Sequence, residues 1–137
     1  MKKIILLLIA IPFLSFNSNL ESIDIIGKWV GEDEGKIAFM TFDKEGYAIF
    51  EIQGQIIGGK EFEMEGKKGK MTYIVNPDKT PIEIDLILTK LDTNEQQKIL
   101  CIAEFQDENN MILAMSWESV RPTEFDSENS IKLKRVE

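Results

Sequence analysis

The residues of this chain that could do acid–base or metal chemistry are mostly carboxylates. The sequence holds 24 aspartates and glutamates against 16 lysines and arginines, and no histidine. Without histidine there is no Ser-His-Asp or Cys-His nucleophile, no imidazole zinc site and no general base of the commonest kind at neutral pH. A single cysteine, Cys101, also excludes a thiolate-rich metal site. A carboxylate pair could serve glycoside hydrolysis, which needs two groups roughly 5 to 9.5 Å apart across a cleft, but the sequence singles out no two. Glu32-Asp33-Glu34, with Asp24, could hold a divalent ion. It lacks the alternating ligands and glycine of an EF-hand loop and reads as a solvated acidic turn. The glycines from Gly54 to Gly69 lack the strand-to-helix setting of a phosphate cradle and read as turns and a barrel bulge. The expectation is a protein that is not an enzyme and carries no cofactor or metal.

What remains is binding by large apolar side chains. Met40, Met64, Met71, Met111 and Met115 are many for so short a chain, and thioethers adapt to irregular gaps and promiscuous surfaces. The expected ligand lining is Phe50, Phe62, Met64, Tyr73, Leu86, Met115 and Trp117. Arg121 has two readings. It could meet an anionic head group at the mouth of a cavity, or it could pair with Asp85 or Glu124 and lock its own loop. Cys101 lies in the apolar run Ile99 to Ala103 and reads as a buried, inert thiol, since a reactive one needs a positive, partly exposed setting.

The elements that must position these residues are short runs of period 2 separated by turn chemistry. They fall at Ile26–Gly31, Lys36–Phe42, Tyr47–Gln53, Glu61–Glu65, Met71–Val75, Ile82–Lys90, Lys98–Gln106, Met111–Glu118 and Ile131–Val136. The clearest alternation is Ile82, Ile84, Leu86 and Leu88 against Glu83, Asp85 and Thr89. No amphipathic helix is legible. Such spacing fits a sandwich or an up-and-down barrel, and the chain ends favour the barrel. If Trp29 faces inward, so do Gly27 and Gly31, which leaves room beside the indole. In the last run Ile131, Leu133 and Arg135 share a face, and an inward arginine needs a partner such as the π-face of Trp29. A barrel brings the first and last strands together. The expected fold is therefore all-β: an antiparallel up-and-down β-barrel of about eight strands, closed structurally by Trp29 and Arg135.

Met1-Lys2-Lys3 followed by the apolar run Ile4 to Phe16 has the layout of a secretory signal peptide. A spanning helix needs about 20 apolar residues, more than this run offers. The expected division is residues 1–18 as signal peptide and 19–137 as one β-barrel domain, exported to a bacterial periplasm or secreted. No cysteine lies near the cleavage point, so lipid attachment there is not expected, nor is stable membrane insertion after cleavage. The net charge is −8, and two units lower once Lys2 and Lys3 are removed. Such a surface repels nucleic acid and anionic membranes.

Three motifs carry a resemblance. Gly27-x-Trp29 with the late Arg135 is similar to the calycin pattern of lipocalins and fatty-acid-binding proteins. Pro81-Ile82-Glu83-Ile84-Asp85-Leu86 and Arg121-Pro122-Thr123-Glu124-Phe125 resemble, in order and spacing, signatures of a lipocalin-like domain family first described in planctomycetes. The resemblance covers about Ile26 to Val136 and implies a lipocalin-like barrel in exported or envelope-associated proteins, with no established activity. The expected function is non-catalytic binding of a small apolar or amphipathic ligand in the barrel. The alternative is a filled barrel whose acidic outer face, including Glu61, Glu63 and Glu65, engages a basic protein partner.

Overall fold

The computed structural model describes residues 24–136, and the leader expected at residues 1–18 lies outside them. The described residues contain nine strands and no helix: β1 (Gly27–Asp33), β2 (Lys36–Phe42), β3 (Ala48–Ile52), β4 (Gln55–Met64), β5 (Lys67–Asn76), β6 (Ile82–Lys90), β7 (Gln96–Asp107), β8 (Asn110–Ser116) and β9 (Ser130–Arg135). Sequential neighbours pair antiparallel, and β9 pairs antiparallel with β1 to close a barrel.

Local chemistry sets several of these hairpins. Three two-residue turns pair a glutamate or glutamine with glycine at positive φ: Glu34-Gly35 (52° and 79°), Gln53-Gly54 (52° and 83°) and Glu65-Gly66 (53° and 81°). Two consecutive positive φ angles define the type I′ turn, whose twist matches that of the strands it joins. The glycines from Gly54 to Gly69, expected as turns and a bulge, fall so in part: Gly54 and Gly66 complete turns and the β4–β5 register shifts after Gly59, but the stretch between is strand. Gly54 completes a turn, and Gln55 onward is β4.

The middle of that stretch resolves a geometric difficulty. A ring whose neighbours are all antiparallel needs an even number of strands, yet nine are present. β4 is the strand that breaks the count. Its first part pairs with β3 up to Ile49↔Gly58, and its second part pairs with β5 from Gly59↔Met71, with a register shift before Phe62↔Gly69. Where β4 turns away, Tyr47 bridges directly to Thr72, and the Tyr73 amide donates to the Gly46 carbonyl at 3.0 Å. Over that half, β3 and β5 are neighbours and the wall is eight-stranded. The corner needs glycine: Gly58 has φ +115°, and a Cβ there would run into the Ala48 carbonyl oxygen.

The alternation then places the core. Trp29, Phe42, Met71, Ile84, Leu86, Ile99, Cys101, Met111 and Leu113 are fully buried, and all lie on the inward face by register. Each such side chain contributes roughly 1.5–3 kcal/mol through removal from water. Parts of the outer wall are also covered, as at Ile87 and Thr89 on β6. Ile102 and Ala114 are cross-strand partners on the outward face and are both buried, beside the crossing of the 117–129 loop.

Candidate functional site

The two barrel ends differ in construction. One end carries the 43–47, 77–81 and 108–109 turns together with the starts of β1 and β6. There Trp29 Nε1 donates to the Ile25 carbonyl at 2.9 Å, and the Arg135 guanidinium lies 4.3 Å from the indole centroid. The guanidinium also donates to the carbonyls of Ile26 (2.7 Å), Asp24 (3.0 Å) and Glu108 (3.0 and 3.1 Å). Among the described residues this arginine is held by oxygen dipoles and a π-face, without a carboxylate. Gly27 is required beside it, since a Cβ there would stand 2.8 Å from Arg135 Nη1. Phe105 and the edge-on pair Phe42–Tyr73 fill the remaining space, and Tyr73 OH donates to the Asp43 carbonyl at 2.7 Å. Burial, with Asp43 and Asp24 nearby, raises the Tyr73 pKa. Trp29 and Arg135, expected as the structural closure, meet at this end across the paired strands β1 and β9.

The opposite end carries the 34–35, 53–54 and 91–95 turns and the long 117–129 loop. It contains a cavity of about 240 Å³. Its floor is Met40 and Leu133, both buried; its walls are the half-buried Phe50, Met115 and Ile131, with Ala38. Its rim is Asp33, Ile52, Trp117 and Glu128, all exposed, with Asn129 and Ser130. Met40 is the cross-strand partner of Trp29, so the floor of the cavity lies directly on the packed half. The rim loop is braced internally. Asp126 accepts from the amides of Glu128 and Asn129, the Ser130 hydroxyl donates to Asn129 Oδ1, and the Met115 amide donates to the Asn129 carbonyl.

Of the residues expected to line a ligand site, the structure brings Phe50, Met115 and Trp117 together at this cavity. Leu86 is fully buried in the core, and Phe62 packs against that core near Gly69. Tyr73 belongs to the closed end. Met64 is 42% exposed at the tip of the β4–β5 hairpin. These four share the inward parity or sit next to it, but parity does not say how far along the barrel a residue lies. The rim residues Asp33, Glu128, Asn129 and Ser130 were missed. They come from two segments far apart in sequence, and no local pattern joins them.

Arg121 is placed outside the cavity, on the outer wall. Its Nη2 pairs with Asp85 at 2.6 Å, its Nη1 donates to the carbonyls of Cys101 (2.9 Å) and Ile84 (3.4 Å), and its Nε lies 3.7 Å from Glu83. Of its two readings, the geometry realises the loop lock, with Asp85 as the partner. This binds the last loop across β6 and β7. Cys101 is fully buried on β7, and burial pushes its thiol up to about 12. Glu61, Glu63 and Glu65 are exposed, but Glu63 stands opposite Lys68, and Lys67 follows the turn, so both charge signs share that edge.

Among the described residues no group of three potential metal ligands occurs, and no helix is long and apolar enough to cross a membrane. Compared with protein-family models, curated proteins and solved structures, the chain matches none.

Proposed function

We propose that the protein is an exported, non-catalytic binding protein that takes a small apolar or amphipathic ligand at the open end of its barrel. The observation that carries this is the cavity of about 240 Å³, floored by Met40 and Leu133, walled by Phe50 and Met115, and bordered by an exposed Trp117. Ligand sites are concave and mostly apolar with a few polar groups, and drug-sized ones run from about 300 Å³ upward. This one suits a short chain or a single ring, with the rest of the ligand at the rim. The leader-like N-terminus supports export, and Gly27-x-Trp29 with Arg135 supports kinship with calycin-type barrels.

Trp117 makes the reading testable. The chain has two tryptophans, and Trp29 is fully buried, so ligand entry should move the emission of Trp117 alone. Titration with an uncharged probe such as n-decanol should give a saturable change in emission. Trp117→Phe should remove that change, and Met115→Glu should abolish binding while the β circular dichroism persists. A flat titration, or one that Met115→Glu leaves unaltered in the folded protein, would overturn the proposal.

A further inference from the structure

The charge at the cavity mouth points to a ligand class, and we infer that the head group it receives is cationic: the ligand is an amphipathic amine or quaternary ammonium. This rests on the binding reading above and narrows it. Asp33 and Glu128 are the charged residues of the lining, and both are acidic. They reach the mouth from neighbouring segments, one at the end of β1 and one in the loop before β9, the strand that pairs with β1. Neither takes part in a salt bridge among the described residues. Lys36 is the cross-strand partner of Asp33 and lies outside the lining. The side chain that could have received an anion, Arg121, is committed to Asp85 on the outer wall.

The rim also offers a π-face. Trp117 is 59% exposed and lines the same cavity as the two carboxylates. A tryptophan face attracts an ammonium by about 0.5–1 kcal/mol at an exposed site, and a screened carboxylate pair adds about 0.2–1 kcal/mol. An apolar tail in the cavity would leave its head group at this level, where the charged residues of the lining are the two carboxylates, like charges to an anion. The mouth therefore selects by charge as well as by apolarity.

Three probes with one tail and different head groups test this: decyltrimethylammonium, n-decanol and decanoate, each followed by Trp117 emission below its micellar range. The ammonium should bind roughly tenfold tighter than the alcohol, and decanoate weaker than either. The Asp33→Asn/Glu128→Gln double variant should cut the ammonium's advantage to the roughly two- to fivefold that the Trp117 face supplies, and leave the alcohol unchanged. Glu61→Gln/Glu63→Gln removes the same charge outside the cavity lining and should preserve the preference. Equal affinities for ammonium and alcohol would overturn the head-group assignment while leaving the binding reading intact. Equal loss of preference in the control variant would overturn it too, by tracing the preference to net charge. Failure of all three probes to bind would sink both readings.

Discussion

Each end of the barrel holds one of the two tryptophans. Trp29 is fully buried, hydrogen-bonded through Nε1 and capped by Arg135, whereas Trp117 is 59% exposed at the border of a cavity. At the closed end the polar groups are used internally: Arg135 donates to three backbone carbonyls, and Tyr73 OH donates to a fourth. At the open end the carboxylates of Asp33 and Glu128 are left facing solvent over apolar walls. The polar groups thus consolidate one half of the barrel, and in the other they border the cavity proposed as the ligand site. Satisfied polar groups make a rigid, dry end, and polar groups with spare capacity beside apolar surface are what a ligand site requires.

The sharpest way to break this comparison is to truncate the two tryptophans. Trp29→Ala should cost about 3–5 kcal/mol in chemical unfolding, through lost burial and the cavity left behind. Trp117→Ala should stay within about 0.5 kcal/mol, as an exposed position does. Similar losses for the two would show that the ends are not built differently.

Next in size is the corner where β4 leaves the wall. Gly58→Ala forces a Cβ onto the Ala48 carbonyl at a backbone angle that L-residues rarely adopt, and should cost about 3 kcal/mol. Gly35→Ala, with positive φ but open space around it, should cost about 1 kcal/mol. Equal costs in thermal unfolding would mean that the corner tolerates a side chain and that barrel closure does not depend on it.

Arg121 sharpens the comparison by linking the outer wall to the mouth. Arg121→Ala should cost about 1–2 kcal/mol, because a partly exposed charged hydrogen-bonding group is lost from Asp85 and two carbonyls. Hydrogen exchange should quicken at the Met115 amide, which bonds the rim residue Asn129, and stay slow at Val30, which is paired on both sides with β2 and β9. Uniform exchange at the two positions would show that the loop lock does not support the mouth.

The smallest effect tests how dry the middle of the barrel is. Burial pushes the Cys101 thiol up to about 12 from its ordinary 9.0. As pH rises, the unfolded chain therefore loses this proton first. The stability tied to it is intact below pH 9 and is lost progressively as pH rises from about 9 to 12. At pH 10 the loss should be about 1.4 kcal/mol relative to Cys101→Ala, which controls for the lysines and tyrosines. Parallel pH profiles for the two proteins would mean that water reaches Cys101 from the cavity side.

Much of the wall was legible from residues alone. The alternations Ile82-Ile84-Leu86-Leu88 and Ile131-Leu133-Arg135 name the inward face, and the structure keeps both. The Trp29–Arg135 contact followed from an inward charge that needed a partner. Less legible was β4, where Gly54 to Gly59 read as turns and a bulge: the register does shift after Gly59, but a corner inside a strand uses the same backbone freedom as a loop, so the strand itself was hidden. The site was half legible: Phe50, Met115 and Trp117 were expected, but Leu86, Phe62 and Tyr73 share their parity and go elsewhere.

The division has a physical basis. Side-chain parity is local, set by the pleat every two residues, so the sequence by itself determined which face of each strand is apolar and that the chain closes as an all-β barrel. Position along the barrel axis is not local. It depends on the stagger between strands and on where β4 leaves the ring. Only the tertiary structure decided which inward residues meet packing and which meet open space, and that Asp33 and Glu128, rather than Arg121, stand at the mouth.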